Sequence, residues 1–301
     1  MMNLVLEKPL PNSTQVKTDN VDYFDATGVP LNKCLPYTKN IRKCQELSEL
    51  NVLPTHLHPA SSSRQVKSFP KNVYVKLVGS LWGIYHGTKI ISPEQIEKTV
   101  IIVEMILKEF ERQSLYLDFA AMHLEVERFK RHDYWRFTHV VNVALLCTMT
   151  GLQLGYAGQR LKCLTLGALF HDLGKLKVPA DILNKPASLS KEEYSIVKSH
   201  PLEGAKMLET SRLSNIVIYV IREHHERWNG KGYPFGLKGN DIHFDAQIVA
   251  VADVYEAMTA NRPYRQGIHP YHVLEMTDSW SGKDFNPTVV QSFQRIFHTI
   301  S

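Results

Sequence analysis

His139, His171-Asp172, His200, His224-His225 and Asp253 are residues whose types and spacing suit metal chemistry. Neutral imidazoles offer nitrogen ligands, and a carboxylate has two oxygens able to bridge a pair of ions. Asp172, beside His171 and central in the set, is the natural bridge. Histidine and carboxylate without Cys fit iron, manganese or zinc, and the ligand types alone do not choose among them. A His-Asp dipeptide is not by itself informative. His132-Asp133 is a second one, set among Lys130, Arg131 and Arg136, and reads as solvated surface. His171-Asp172 follows the apolar run from Leu164 to Phe170 and reads as the end of a buried helix. An unpaired carboxylate there would be costly, and a metal is the simplest compensation. The remaining histidines read as ordinary surface or core residues.

The elements that must position these groups are helices. The intervals between successive ligand groups (32, 29, 24 and 28 residues) each allow one helix and a return. Apolar positions recur at three-to-four spacing over 140–152, 161–170, 193–208, 213–221 and 246–258, the pattern of helices with a buried face. Ser190 and Glu193 form a capping box, and Ser92-Pro93-Glu94-Gln95 has the same form with Pro at the first helical position. A bundle of such helices can bring ligands from several of them to one centre. Earlier in the chain, Val73, Val75 and Leu77 alternate with Tyr74 and Lys76, a half-buried strand pattern. The expected fold is therefore mostly α: a C-terminal helical bundle with a metal centre over 132–301, preceded by a small α+β domain. Residues 1–20 read as disordered, 21–90 as a partner-binding or regulatory α+β domain, and 91–131 as connecting helices.

The composition is that of ordinary soluble domains: 44% hydrophobic and 22% charged residues in 301. The net charge is only +5, and no dense Lys/Arg stripe is present, which argues against duplex nucleic acid as a partner. Four Cys without CxxC spacing are too few for a disulfide framework. The first residues lack a basic segment followed by an apolar one, and no apolar run approaches 18 residues, so neither a secretory signal nor membrane insertion is expected. The expected location is cytoplasmic.

Five motifs in order resemble the HD-GYP family of HD-domain metal-dependent phosphohydrolases. They are His171-Asp-Leu-Gly-Lys175, Pro179 to Pro186, His200-Pro-Leu-Glu-Gly204, His224 to Pro234 with its Gly232-Tyr-Pro, and Ala250-Val-Ala-Asp253 followed by Arg262-Pro-Tyr-Arg265. The resemblance covers about 132–300. It implies an HD-type helical catalytic domain hydrolysing cyclic di-GMP, or a related cyclic dinucleotide, to linear pGpG and on to GMP. Carried over residue by residue, one metal takes His139, His171 and Asp253 and the second takes His200, His224 and His225, with Asp172 between them. Two divalent ions are expected, iron ahead of manganese or zinc. The sequence departs from the family pattern at Trp135, where a Glu would support a third metal, at Asn142 and Gln247, where Arg is frequent, and at Asn229, where Asp is frequent.

The chemistry this implies is attack of a metal-bridging hydroxide on the phosphodiester. Lys175, one turn past the dyad, would stabilise phosphate charge. Arg262 and Arg265 suit bidentate contacts to phosphate or a guanine edge. Tyr233 would stack on a base or donate to phosphate, in a loop whose glycines allow movement. Two other readings stand beside this one: a cyclic-dinucleotide sensor signalling to a protein partner through residues 21–90, and an HD-domain nucleotide phosphohydrolase.

Overall fold

The computed structural model describes residues 79, 81, 84, 91–113, 135–185, 187–260 and 266–298. Helix α1 (Pro93–Gln113) opens with the expected reciprocal cap: Gln95 N donates to Ser92 Oγ at 3.2 Å, and Ser92 N donates to Gln95 Oε1 at 2.9 Å. Helices α2 (Trp135–Gln153) and α3 (Gly158–Phe170) follow, joined by a turn in which Gly155 takes a positive φ. A 3-10 turn (Leu173–Lys177) and the short α4 (Ala180–Leu183) lead to α5 (Lys191–Lys198) and α6 (His200–Leu208). Then come α7 (Asn215–Glu223), α8 (Phe244–Thr259), α9 (Pro270–Trp280) and α10 (Pro287–His298).

The expected run over 193–208 is split at Ser199. Pro201 has no N–H to give a preceding turn but fits the first turn of a new helix. The split stations His200 at the head of α6. The expected capping box of α5 is present, with Glu193 N on Ser190 Oγ at 3.2 Å.

Helix α8 is the centre of the bundle. Every residue from Asp245 to Thr259 is buried, and the helix packs against α2, α7, α9 and α10. Helices α3 and α7 come together at Gly167, where a Cβ would lie 2.7 Å from the Val220 side chain. Leu81, Ile84 and, from α1, Val103, Ile106, Leu107 and Phe110 join the same hydrophobic cluster as the bundle. Burying such side chains contributes about 1.5–3 kcal/mol each, which is what holds the helices in register.

Among the described residues the only β-type pairing is an isolated bridge between Ser281 and Phe285. The strand expected over 73–77 lies outside the described residues, as do 1–78 generally and His132-Asp133. Of the proposed α+β segment only Gly79, Leu81 and Ile84 are described, and all three are helical. An α+β domain is therefore not supported by what is described. No described helix is long and apolar enough to cross a membrane.

Candidate metal centre

The bundle gathers all seven candidate ligands into its interior. His139 lies near the start of α2, His171-Asp172 at the end of α3, His200 at the head of α6, His224-His225 just past α7, and Asp253 in the middle of α8. All are buried. Their ligand atoms fall into two compact groups: His139, His171 and Asp253, and Asp172, His200, His224 and His225. Asp172 faces both. Its Oδ2 is 3.7 Å from His139 Nε2 and 3.6 Å from His171 Nε2, while its Oδ1 is 3.5 Å from His200 Nε2.

Backbone geometry fixes which nitrogen of each ring points inward. His171 Nδ1 donates to Ala168 O, His200 Nδ1 to Val197 O and His224 Nδ1 to Ile221 O, at 2.7–2.8 Å. In each case the acceptor is the carbonyl three residues back, exposed because a helix ends there. A carbonyl can only accept, so Nδ1 carries the proton and the Nε2 lone pair faces the centre. His139 reaches the same tautomer by another route, with Nδ1 on Glu256 Oε2 at 2.5 Å.

These inward atoms lack protein hydrogen-bond partners. His139 Nε2, His171 Nε2, Asp172 Oδ1, Asp253 Oδ1 and both nitrogens of His225 are buried without one. His200 Nε2 and His224 Nε2 face each other at 3.3 Å, lone pair towards lone pair. Buried polar atoms are ordinarily paired, and orphaned lone pairs aimed at one point are the donor set a cation requires. The residues present therefore fit a metal pair.

Charge states agree. Burial, then the Lys175 ammonium, push His200 down to about 4. Burial and neighbouring imidazoles hold His224 and His225 well below the usual histidine range. All three are neutral at pH 7, the ligand form. Burial would lower His139, but Glu256 and Asp253 outweigh it and raise the ring to about 10. Without an ion the ring therefore carries a second proton at pH 7, on Nε2 towards Asp253, and a cation would take that proton's place. Burial would raise Asp172, but Lys175 and the surrounding histidines hold its carboxyl well below the carboxylate range, so it stays ionised.

Two close backbone approaches make the assembly possible. A Cβ on Gly174 would land on the His200 carbonyl and the Gly204 nitrogen, so the turn after the His-Asp pair can rest on α6 only if residue 174 is glycine. A Cβ on Gly232 would strike the backbone of Glu226 and Arg227. That second contact belongs to a latch. The Glu226 carboxylate accepts from Phe235 N and Gly236 N through Oε1 and from Leu237 N through Oε2, at 2.7–3.1 Å.

The HD domain family model matches residues 120–289. The chain belongs to the HD-domain family, in its HD-GYP branch. A cyclic di-GMP phosphodiesterase of Pseudomonas aeruginosa is 38% identical over 171 residues, 56% of this chain and 41% of the relative. A 3'3'-cGAMP-specific phosphodiesterase of Vibrio cholerae is 40% identical over 140 residues, 46% of this chain and 32% of the relative. The chain thus covers less than half the length of either. An HDG"Y"P protein of Bdellovibrio bacteriovorus shares the fold, with a TM-score of 0.60 and 18% identity over 87% of this chain and 81% of its own.

The other site residues expected of an HD-GYP protein divide in two. Lys175 reaches the centre, with Nζ on Asp172 Oδ2 at 2.7 Å. Tyr233 is held, its N donating to His225 O at 3.2 Å and its ring stacked on that of His225. Arg262 and Arg265 lie outside the described residues, as does the Trp135 side chain. The departures at 229 and 247 are absorbed locally. Asn229 Nδ2 donates to Asp284 Oδ1 at 2.7 Å, tying the HD-GYP loop to the turn before α10. Gln247 Nε2 donates to Ile242 O at 2.7 Å, and its Oε1 accepts from Asn286 at 2.7 Å. Glu226 and Glu256 were missed by sequence reasoning. Each follows a ligand by one or three residues, and that offset was the available signal.

Proposed function

We propose that this HD-GYP chain is a metal-dependent phosphodiesterase that opens a cyclic dinucleotide, cyclic di-GMP first, to the linear form pGpG. The observation that carries this reading is Asp172, whose two oxygens face two separate groups of buried, unpartnered ligand atoms. His139, His171 and Asp253 would hold one divalent ion, and His200, His224 and His225 the other, with Asp172 shared. Ions bound there would supply Lewis acidity towards the phosphate and a water of lowered pKa.

The chain's own residues set the conditions for that chemistry. The Nδ1–H bonds of His171, His200 and His224 to backbone carbonyls keep the rings from turning, so the inner lone pairs are preorganised. Lys175, with its side chain 16% exposed, is poised between Asp172 and the outside, where its ammonium can meet a phosphate oxygen. Tyr233 walls one side of His225 and restricts water there. Arg262 and Arg265 are assigned the outer phosphate or base contacts on their motif alone. The name of the Vibrio cholerae relative keeps 3'3'-cGAMP as a second substrate.

The test is product analysis. Iron- or manganese-loaded chain is incubated separately with cyclic di-GMP and 3'3'-cGAMP, and products are resolved by chromatography. Linear dinucleotide is the expected product. A chain that carries two metal ions yet turns over no cyclic dinucleotide is a binding protein, and the enzymatic reading falls.

A further inference from the structure

The two ligand groups are electrically unequal. Around His139 and His171 stand two carboxylates besides the shared one: Asp253, with Oδ1 3.2 Å from His139 Nε2, and Glu256, on the far side of the same ring. Glu256 is held from both ends, since Asn142 Nδ2 donates to its other oxygen at 3.1 Å. Asn142 is three residues past His139 on α2, and Glu256 three past Asp253 on α8, so one turn of each helix supplies a ligand and the next turn its support. Around His200, His224 and His225 the shared Asp172 is the one described carboxylate within 4 Å of a ring nitrogen, and Asp253 reaches only His224, at longer range. His200 and His224 lean on backbone carbonyls, and neither nitrogen of His225 has a hydrogen-bond partner. Lys175 sits on Asp172 Oδ2 and offsets part of the negative charge nearest His139, but Asp253 and Glu256 remain.

We infer that Glu256, acting through His139, makes the His139–His171–Asp253 group the first and tighter of two cation positions, with the His200–His224–His225 group filling second. The inference rests on the reading that both groups hold cations. A carboxylate behind a ligand imidazole fixes its tautomer and raises its basicity, and loss of such a partner typically weakens metal binding about 10- to 100-fold. Glu256 is thus a positioning residue. It is kept off the ions by the ring it orients.

The experiment is a Co2+ titration of the full chain after chelation, followed by visible absorption and calorimetry. The wild type should take up two ions in resolved steps. The variant His200→Ala should lose the second step and keep the first. The variant Glu256→Gln keeps the shape but not the charge. It should weaken the first step about 10- to 100-fold and leave the second in place, so that the steps merge. If Glu256→Gln fails to give a native circular-dichroism spectrum, Asn142→Ala substitutes for it and should shift the first step in the same direction by a smaller factor. An unchanged first step in the folded variant, or equal weakening of both, overturns the role of Glu256. A wild-type chain that binds fewer than two Co2+ overturns the two-cation reading itself.

Discussion

Tyr233 lies flat against His225, with ring centroids 4.6 Å apart and 22° between the planes. The Lys198 ammonium lies over the same tyrosine ring, 5.5 Å from its centroid. The phenol ring thus meets both a cation and an imidazole, and the glycine-bearing loop is pinned to the site it borders. Such a stack is worth about 0.5–1.5 kcal/mol beyond the area it buries. Tyr233→Phe should therefore keep the wild-type denaturation midpoint, while Tyr233→Ala should lose about 1–3 kcal/mol. Equal midpoints for the two variants would show that the ring contact does not hold the loop.

Asp172 is the only described carboxylate shared by both groups. Asp172→Asn should reduce bound metal from two ions per chain to fewer than one, read by elemental analysis after purification in iron or manganese. Retention of two ions would remove Asp172 from the bridging position.

The contact of Gly174 with His200 and Gly204 leaves no room for a methyl group. Gly174→Ala must push the turn away from α6, at a cost of about 1–3 kcal/mol for overpacking. The same displacement separates Asp172 from His200, so metal content should fall with stability. Chemical denaturation and metal analysis on one preparation check both.

Glu226 holds three consecutive backbone N–H groups with one carboxylate. Hydrogen bonds to a charged group contribute about 1.5–3 kcal/mol, and a neutral amide has a single acceptor oxygen. Glu226→Gln should speed hydrogen exchange at Phe235, Gly236 and Leu237 by at least about tenfold, with little change at the amides of α8. Uniform acceleration across the bundle would mean that Glu226 supports the whole fold and not the loop.

The ligand ladder was legible because each rung sets a metal-binding side chain on or beside an apolar helical run, and because the intervening intervals match a helix and its return. The break at Ser199 was not, since Pro201 is compatible with either a first turn or the interruption of a longer helix. Glu256 was invisible for a different reason. In sequence it reads as one of several polar positions on a largely apolar helix, the usual mark of a solvated edge. Only the packing of α2, α7, α9 and α10 around α8 shows that this helix has no solvated edge, so that a glutamate there must be paired. The small N-terminal domain rested on a five-residue alternation, and Leu81 and Ile84 on its C-terminal side belong to the bundle's own core.

His139 and Glu256 are 117 residues apart in the chain. Contacts of such sequence separation close late, because the loop entropy must be overcome before they return any energy. During synthesis, an ion that meets the emerging chain finds at most neighbours such as His171-Asp172, since His224-His225 and α8 come after. The complete set exists only once α8 has packed into the bundle. Cation capture is therefore a receipt for finished folding, and a chain truncated before α8 can carry every histidine of the centre without being able to assemble it.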